Sequence, residues 1–164
     1  MQSNWIWNFA PLEFHQFSVF ELFSVKANHL FLTNPVFSGI REAFNPHAVL
    51  HLIPVGVGEV KIQGVESGLY LAMNAKGNLY AESDDSTEAT VFLESSSGYY
   101  LHYLSKKYAH MGWHVGITQQ GRAKNGKKTW YPWGQKAIQF VARKAYDEPH
   151  PLRYKNFFHC YSFF

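Results

Sequence analysis

Cysteine is almost missing from this chain. Cys160 is the only one in 164 residues and lies near the end, which excludes a disulfide framework and a thiolate zinc site. Asn-x-Ser/Thr sequons are missing altogether, so N-glycosylation is not expected. No apolar run is long enough to span a bilayer, so no membrane span is expected. The hydrophobic N-terminus is interrupted by Glu13, His15, Gln16 and Glu21 and lacks a positive n-region and a small-residue cleavage site. It does not read as a secretory signal. Acidic residues are missing from one long interval: between Lys106 and Lys144 there are nine Lys/Arg and no Asp or Glu, although the net charge is only +3.

That interval is the most informative part of the chain. Its peak runs Arg122-Ala-Lys124-Asn-Gly126-Lys127-Lys128-Thr-Trp130-Tyr-Pro-Trp133-Gly134-Gln-Lys136. Concentrated positive charge attracts polyanions even where net charge is small. The glycines place it on loops, where binding groups gather. An ordinary charge run is a solvated helix face. Here no acid interrupts the run, and the stretch reads as loops between strands, so its charges can converge on one surface.

The length bounds the chain to one principal domain, and an apolar fraction of 46% is enough for a core. Three parts can be separated. Residues 1–46 are Phe-rich: the first 45 hold eight of the fourteen Phe and only Lys26 and Arg41 as basic residues. Phe14, Phe17, Phe20 and Phe23 recur every third residue, closer to helical than to strand spacing. A membrane-surface or partner-binding helix would use basic residues on its polar face, and these are missing. An apolar segment packed on its own domain, or a poorly ordered one, fits better. Residues 146–164 form an irregular aromatic tail with Pro149 and Pro151.

Between them, residues 47–145 read as short alternating runs broken by Gly, Asn and Ser. Strands are expected at Ala48–Leu52, Glu59–Gln63, Tyr70–Met73, Leu79–Ala81, Val91–Glu94, Tyr99–Leu104, Trp113–Ile117 and Ile138–Val141. Asn74-Ala-Lys-Gly77 and Thr118-Gln-Gln-Gly121 read as hairpin turns with Gly at the positive φ angle. Leu71-x-Met73-x-x-x-Gly77 recurs 44 residues on as Val115-x-Ile117-x-x-x-Gly121, and Phe92 recurs less cleanly as Phe140. A fainter copy runs from Asn28 to Gly39. Many short strands in repeated lobes point to an all-β, small closed barrel.

Val57-Gly-Glu-Val60, Glu66-Ser-Gly-Leu-Tyr70-Leu-Ala-Met73, Gly77-x-Leu-Tyr80 and Gly134-Gln-Lys-Ala-Ile138-x-Phe140 resemble the fibroblast growth factors, from about His47 to Val141. The resemblance implies a β-trefoil, here with a first lobe that is incomplete or replaced, because the match stops before His47. It implies a secreted or extracellular, heparin-binding growth factor, exported conventionally or otherwise, that acts as a mitogen through fibroblast growth factor receptor tyrosine kinases. Cytoplasmic and nuclear pools are alternatives. By motif, Lys124, Lys128, Gln135, Lys136 and Ala137 fall on the family's heparin-binding positions, and Glu94, Tyr100 and Val141 on its receptor-binding positions. Thr118, Gln119 and Asn125 stand where the nearest members have basic residues, Gly98 replaces an Asn, and Arg143 a Leu. The turn Trp130-Tyr-Pro-Trp133 is two residues longer than theirs. These departures imply weaker or altered heparin binding.

The rivals are weaker. His110 and His114 are four apart but flank a turn and a strand entry, with no Glu between them, so they do not make a helical metal pair. Asp84-Asp85-Ser86-Thr87-Glu88 reads as a solvated hairpin loop rather than a cation site. Trp113, Trp130 and Trp133 could stack on sugars or pack. No nucleophile–base pair is visible, so neither an enzyme nor a cofactor is expected. Basic residues interleaved with aromatics fit single-stranded nucleic acid, but the resemblance assigns the same positions to sulfated sugar, so no nucleic-acid partner is expected. The alternative kept open is a non-signalling trefoil that binds heparan sulfate or nucleic acid without activating a receptor.

Overall fold

Alternation in the sequence becomes alternation in burial. Along Glu59–Gly64 the residues Val60, Ile62 and Gly64 are buried, and Glu59, Lys61 and Gln63 between them are half-buried, because successive side chains of a strand face opposite sides. The computed structural model describes residues 18–24, 28–32, 37–40, 46–129 and 135–144. Ten strands run through them: β1 (Ser18–Ser24), β2 (Asn28–Leu32), β3 (Phe37–Ile40), β4 (Val49–Gly56), β5 (Glu59–Gly64), β6 (Tyr70–Met73), β7 (Leu79–Glu82), β8 (Phe92–Ser97), β9 (Tyr100–Ser105) and β10 (Phe140–Lys144).

Six of these close into a ring. β1 pairs with β4 (Phe20 opposite Leu50), β4 with β5 (Leu52 opposite Ile62) and β5 with β8 (Val60 opposite Phe92). β8 pairs with β9 (Glu94 opposite Tyr103), β9 with β10 (Leu101 opposite Phe140), and β10 returns to β1 (Val141 opposite Phe23). Every pair is antiparallel, and each of the six strands has a neighbour on both sides. Closure removes the open edges that an isolated sheet would present.

The remaining segments make hairpins at one end of the barrel. β2 pairs with β3, and β6 with β7. A third, shorter hairpin is represented by the Ile117–Ala123 bridge around the turn 118–121. Its Gly121 has φ 81° and its N–H donates to Thr118 O at 3.0 Å, matching Gly77, with φ 80° and a 2.8 Å bond to Asn74 O. Three-residue 3-10 turns at Pro46–Ala48, Glu88–Thr90 and Lys136–Ile138 precede β4, β8 and β10. Each ends on a buried residue (Ala48, Thr90, Ile138), and two positions later comes a residue with no exposed surface: Leu50, Phe92 or Phe140. The threefold repetition defines a β-trefoil. Leu32, Val60, Ile62, Leu71, Tyr103, Val115 and Ile117 complete the core cluster around those residues.

Several expectations are corrected. Trp113–Ile117 is not a strand. Its N–H groups donate to three different places: Val115 to Tyr103 O at 2.8 Å, Ile117 to Ala137 O at 2.8 Å, and His114 to Thr129 Oγ1 at 2.8 Å. No single neighbour supplies a ladder. Ile138 closes a 3-10 turn, and the last strand begins only at Phe140. The helical spacing around Phe20 and Phe23 also gives way: both lie in β1, where ladders on each side override local periodicity. The expectation of an incomplete or replaced first lobe is amended, since β1, β2 and β3 occupy it and β1 pairs across the boundary drawn at 46/47. Phe14, Phe17, the tail 146–164, Trp130 and Trp133 lie outside the described residues.

Two histidines sit inside the fold. His102 on β9 is 4% exposed and His114 is 7% exposed. Burial holds both imidazoles below their ordinary pKa, opposed at His102 by the Ile138 backbone. At His114 the Gly112 carbonyl, 2.8 Å from Nδ1, opposes it, and the nearby His102 lowers the value further. A depressed histidine means that the unfolded chain binds more protons below its ordinary pKa of about 6.5. This stability is present above that value and is lost as pH falls through the lower folded values. The melting temperature should therefore drop between pH 7 and pH 5. In His102→Gln/His114→Gln the drop, followed by circular dichroism, should be clearly smaller than in the parent.

Candidate anion-binding site

The basic interval is held by turns whose residues are individually explicable. After the Gly121 turn, Arg122 N–H donates to Thr118 Oγ1 at 3.1 Å and Thr118 N–H to Arg122 O at 2.8 Å. The chain then returns along Gly116, with Lys124 N–H donating to Gly116 O at 2.8 Å. Asn125 caps the 3-10 turn Gly126–Lys128: its Oδ1 accepts the Lys127 N–H at 3.0 Å. The same side chain reaches the second lobe, where Nδ2 donates to Lys76 O at 2.9 Å and to Asn78 Oδ1 at 2.7 Å. Gly126 N–H adds a 2.7 Å bond to Gly77 O. A Cβ on Gly126 would stand 3.0 Å from both Met73 Sδ and Trp113 Cβ, so only glycine brings the loop this close. Thr129, fully buried, closes the turn by donating its hydroxyl to Gly126 O at 2.7 Å.

This framework leaves an open depression of about 410 Å³ lined by Ile117, Thr118, Gln119, Lys124, Gln135, Lys136 and Ala137. Lys124 Nζ donates to Gln135 Oε1 at 2.9 Å, and the Ile117–Ala137 backbone bond joins the two walls. Four of the five sequence-predicted residues, Lys124, Gln135, Lys136 and Ala137, therefore meet at one place. Lys128 is exposed on the neighbouring 3-10 turn and is not part of the wall. Thr118 and Gln119, expected as a hairpin turn that lacks two of the family's basic residues, also line the depression; their place beside the Gly121 turn was the available signal. The lining contains cations and amides and no carboxylate. An open, positive surface of this kind suits an extended anion better than an enclosed small molecule. Among the described residues, no group of three or more His, Cys, Asp or Glu could hold a metal ion. His110 is exposed on the turn Ala109–Met111 and His114 is buried, so the two occupy different environments.

The second expected set lies elsewhere. Glu94 and Tyr100 belong to the β8–β9 hairpin, and Val141 to β10; all three are half-buried. Tyr100 and Val141 flank the Leu101–Phe140 pair from its two strands. Glu94 N–H donates to Gly58 O at 2.8 Å, which brings the β4–β5 turn and the fully exposed Val57 alongside. Tyr99 at the hairpin tip is 94% exposed. Burial, with the Glu94 carboxylate nearby, pushes the Tyr103 phenol well above its ordinary range, so it stays neutral.

A β-trefoil with a basic, acid-free depression on its third lobe is the class that fold and site define. Comparison with known proteins narrows it. The fibroblast growth factor family model matches residues 18–141, so the match begins ahead of the His47 start read from the sequence. The chain is 41% identical to fibroblast growth factor 1 of Xenopus laevis over 115 residues, which cover 70% of this chain and 72% of that protein. It is 39% identical to fibroblast growth factor 1 of Cynops pyrrhogaster, with 63% and 68% covered. It is 38% identical to the putative fibroblast growth factor 1 of Danio rerio, with 63% and 69% covered. The chain belongs to the fibroblast growth factor family.

The clasp can be tested without any ligand. Asn125→Ala removes two donated bonds and one accepted bond. It should cost about 1–2 kcal/mol in urea unfolding. Gly77→Ala, at φ 80° and with its Cβ 2.9 Å from Asn125 Oδ1, should destabilise by a similar amount, on the order of 1–2 kcal/mol.

Proposed function

We propose that this member of the family is an extracellular heparin-binding growth factor that signals through a fibroblast growth factor receptor tyrosine kinase. The observation that carries the reading is the convergence of Lys124, Gln135, Lys136 and Ala137 on one acid-free depression, with Lys128 beside it. Lysine ammonium groups meet sulfates as point charges from several directions, and the Gln135 amide adds a neutral donor. Glu94, Tyr100 and Val141 form the proposed receptor contact, with Tyr100 as its aromatic anchor. The exposed Val57 and Tyr99 extend the same face. Among the described residues, no helix is long and apolar enough to cross a membrane.

One observation favours a second reading, polyanion binding without receptor activation. Gly98, with φ 61°, leaves the β8–β9 tip without a side chain beside Tyr99 and Tyr100, which thins the receptor face. Receptor phosphorylation in the presence of heparin separates the two readings.

Polyanion binding releases counterions, so affinity should fall steeply with salt, as it does for DNA ligands. Lys124→Gln/Lys128→Gln/Lys136→Gln should elute from immobilised heparin at clearly lower salt, with a log–log salt slope reduced by about 2–3. Elution with the parent would overturn the site. Heparin should also outcompete single-stranded DNA at fixed salt. Tyr100→Ala should weaken receptor binding by at least about 2 kcal/mol while leaving heparin retention unchanged. Tight receptor binding by that variant would place the contact elsewhere.

A further inference from the structure

Positive charge does not stop at the depression. Lys127 Nζ stands 5.7 Å from the centroid of the Trp113 ring. Trp113 packs against Tyr108 at 5.0 Å with the planes tilted by 35°, and Lys107 Nζ stands 6.0 Å from the Tyr108 centroid. Two lysines thus flank one pair of aromatic rings. An ammonium attracted to a ring face keeps its charge and N–H donors while its stem loses freedom.

A third cation comes from the second lobe. Lys76 lies on the β6–β7 turn; its carbonyl accepts Asn125 Nδ2, and Asn125 Oδ1 accepts the Lys127 N–H. One side-chain amide therefore fixes the backbones of two lysines from different lobes. Lys76, Lys107 and Lys127 are all exposed. Among the described residues none of the three has an ion-pair partner, whereas Lys61 is paired with Asp85 at 3.6 Å and Lys106 with Glu59 at 2.7 Å. The acid placed against this region is Glu82, which is coupled to Tyr80 beside Tyr108. Its Oε1 already accepts the N–H groups of Ser83 and Asp84. Lys124, on the wall of the depression, immediately precedes Asn125, so the two basic surfaces adjoin.

We propose that Lys76, Lys107 and Lys127, with the Tyr108–Trp113 pair between the latter two, form a second anion-binding strip. A sulfated polysaccharide that fills the depression and extends past it crosses this strip onto the second lobe. The proposal rests on the sulfated-sugar reading of the depression. It adds a length requirement: a short oligosaccharide occupies the depression alone, and a long one engages both surfaces, gaining affinity through the second attachment.

The test is calorimetric binding of a heparin tetrasaccharide and a heparin hexadecasaccharide at several salt concentrations. The proteins are the parent, Lys76→Gln/Lys107→Gln/Lys127→Gln, the corresponding triple Arg variant, and Lys124→Gln/Lys136→Gln. The triple Gln variant should bind the tetrasaccharide as the parent does. It should lose roughly tenfold or more in affinity for the long chain, with a salt slope lower by about 2–3. The triple Arg variant should retain both. Unchanged long-chain affinity and slope in the triple Gln variant overturn the strip, as does an equal loss for both lengths, which would report only overall charge. If the triple Gln variant loses the long chain while Lys124→Gln/Lys136→Gln keeps the tetrasaccharide, the strip stands and the depression reading fails. A parent that binds neither length removes both. Melting temperatures within a few degrees of the parent establish that every variant is folded.

Discussion

The fold depends on the two-sided pairing of β1. Without it, β4 and β10 would each present an unpaired row of backbone donors and acceptors, and the barrel would be an open sheet with a wet seam. With it, six antiparallel strands satisfy one another in a ring. Closure also fixes the interior. The residues that follow the three 3-10 turns, Leu50, Phe92 and Phe140, meet in one core cluster. An aromatic pair, Tyr103 and Phe140 with centroids 6.0 Å apart, packs β9 against β10.

The basic surface grows where the threefold pattern is broken. In the second lobe, β6 and β7 form a full ladder from Tyr70–Glu82 to Met73–Leu79. The equivalent stretch of the third lobe keeps its buried Val115 and Ile117 but distributes its hydrogen bonds among Tyr103, Thr129 and Ala137. Released from a ladder, the chain carries Lys127 and Lys128 on the turn Gly126–Lys128 and Lys136 on the turn Lys136–Ile138. Asn125 then compensates for the missing ladder by fastening one of those turns to the second lobe.

Much of the barrel could be read from residues alone. β6 begins and ends where the alternation and the Asn74–Gly77 turn put it, and β5 extends one residue beyond its expected end. The positive φ at Gly77 and Gly121 follows from the turn chemistry. Of the first lobe only the faint copy over Asn28–Gly39, where β2 and β3 lie, was legible; β1 was not, because its register is set by β4 and β10 farther along the chain rather than by local alternation. The segment 113–117 misled for the opposite reason: its apolar periodicity is real and its residues are buried, but burial does not require a ladder. Within the site, the resemblance grouped Lys124, Gln135, Lys136 and Ala137, and these four line one depression. The Gly121 turn marked Thr118 and Gln119 as loop residues, but that they form a wall depends on loop closure, and the approach of Lys76 depends on a single amide that leaves no pattern in the sequence.

Ring closure also has a temporal consequence. β1 leaves the ribosome before every other strand of the ring, while its partner β10 lies at Phe140–Lys144. Contacts of such large sequence separation form slowly, since the loop between them must be closed first. β1 can pair with β4 early, in the register Phe20–Leu50, but its other side stays bare until the last strand is made. Throughout that interval the nascent protein carries an open strand edge, the kind of surface that recruits other chains. The strand that completes the barrel is therefore also the one whose delay leaves the growing chain most exposed to misassociation.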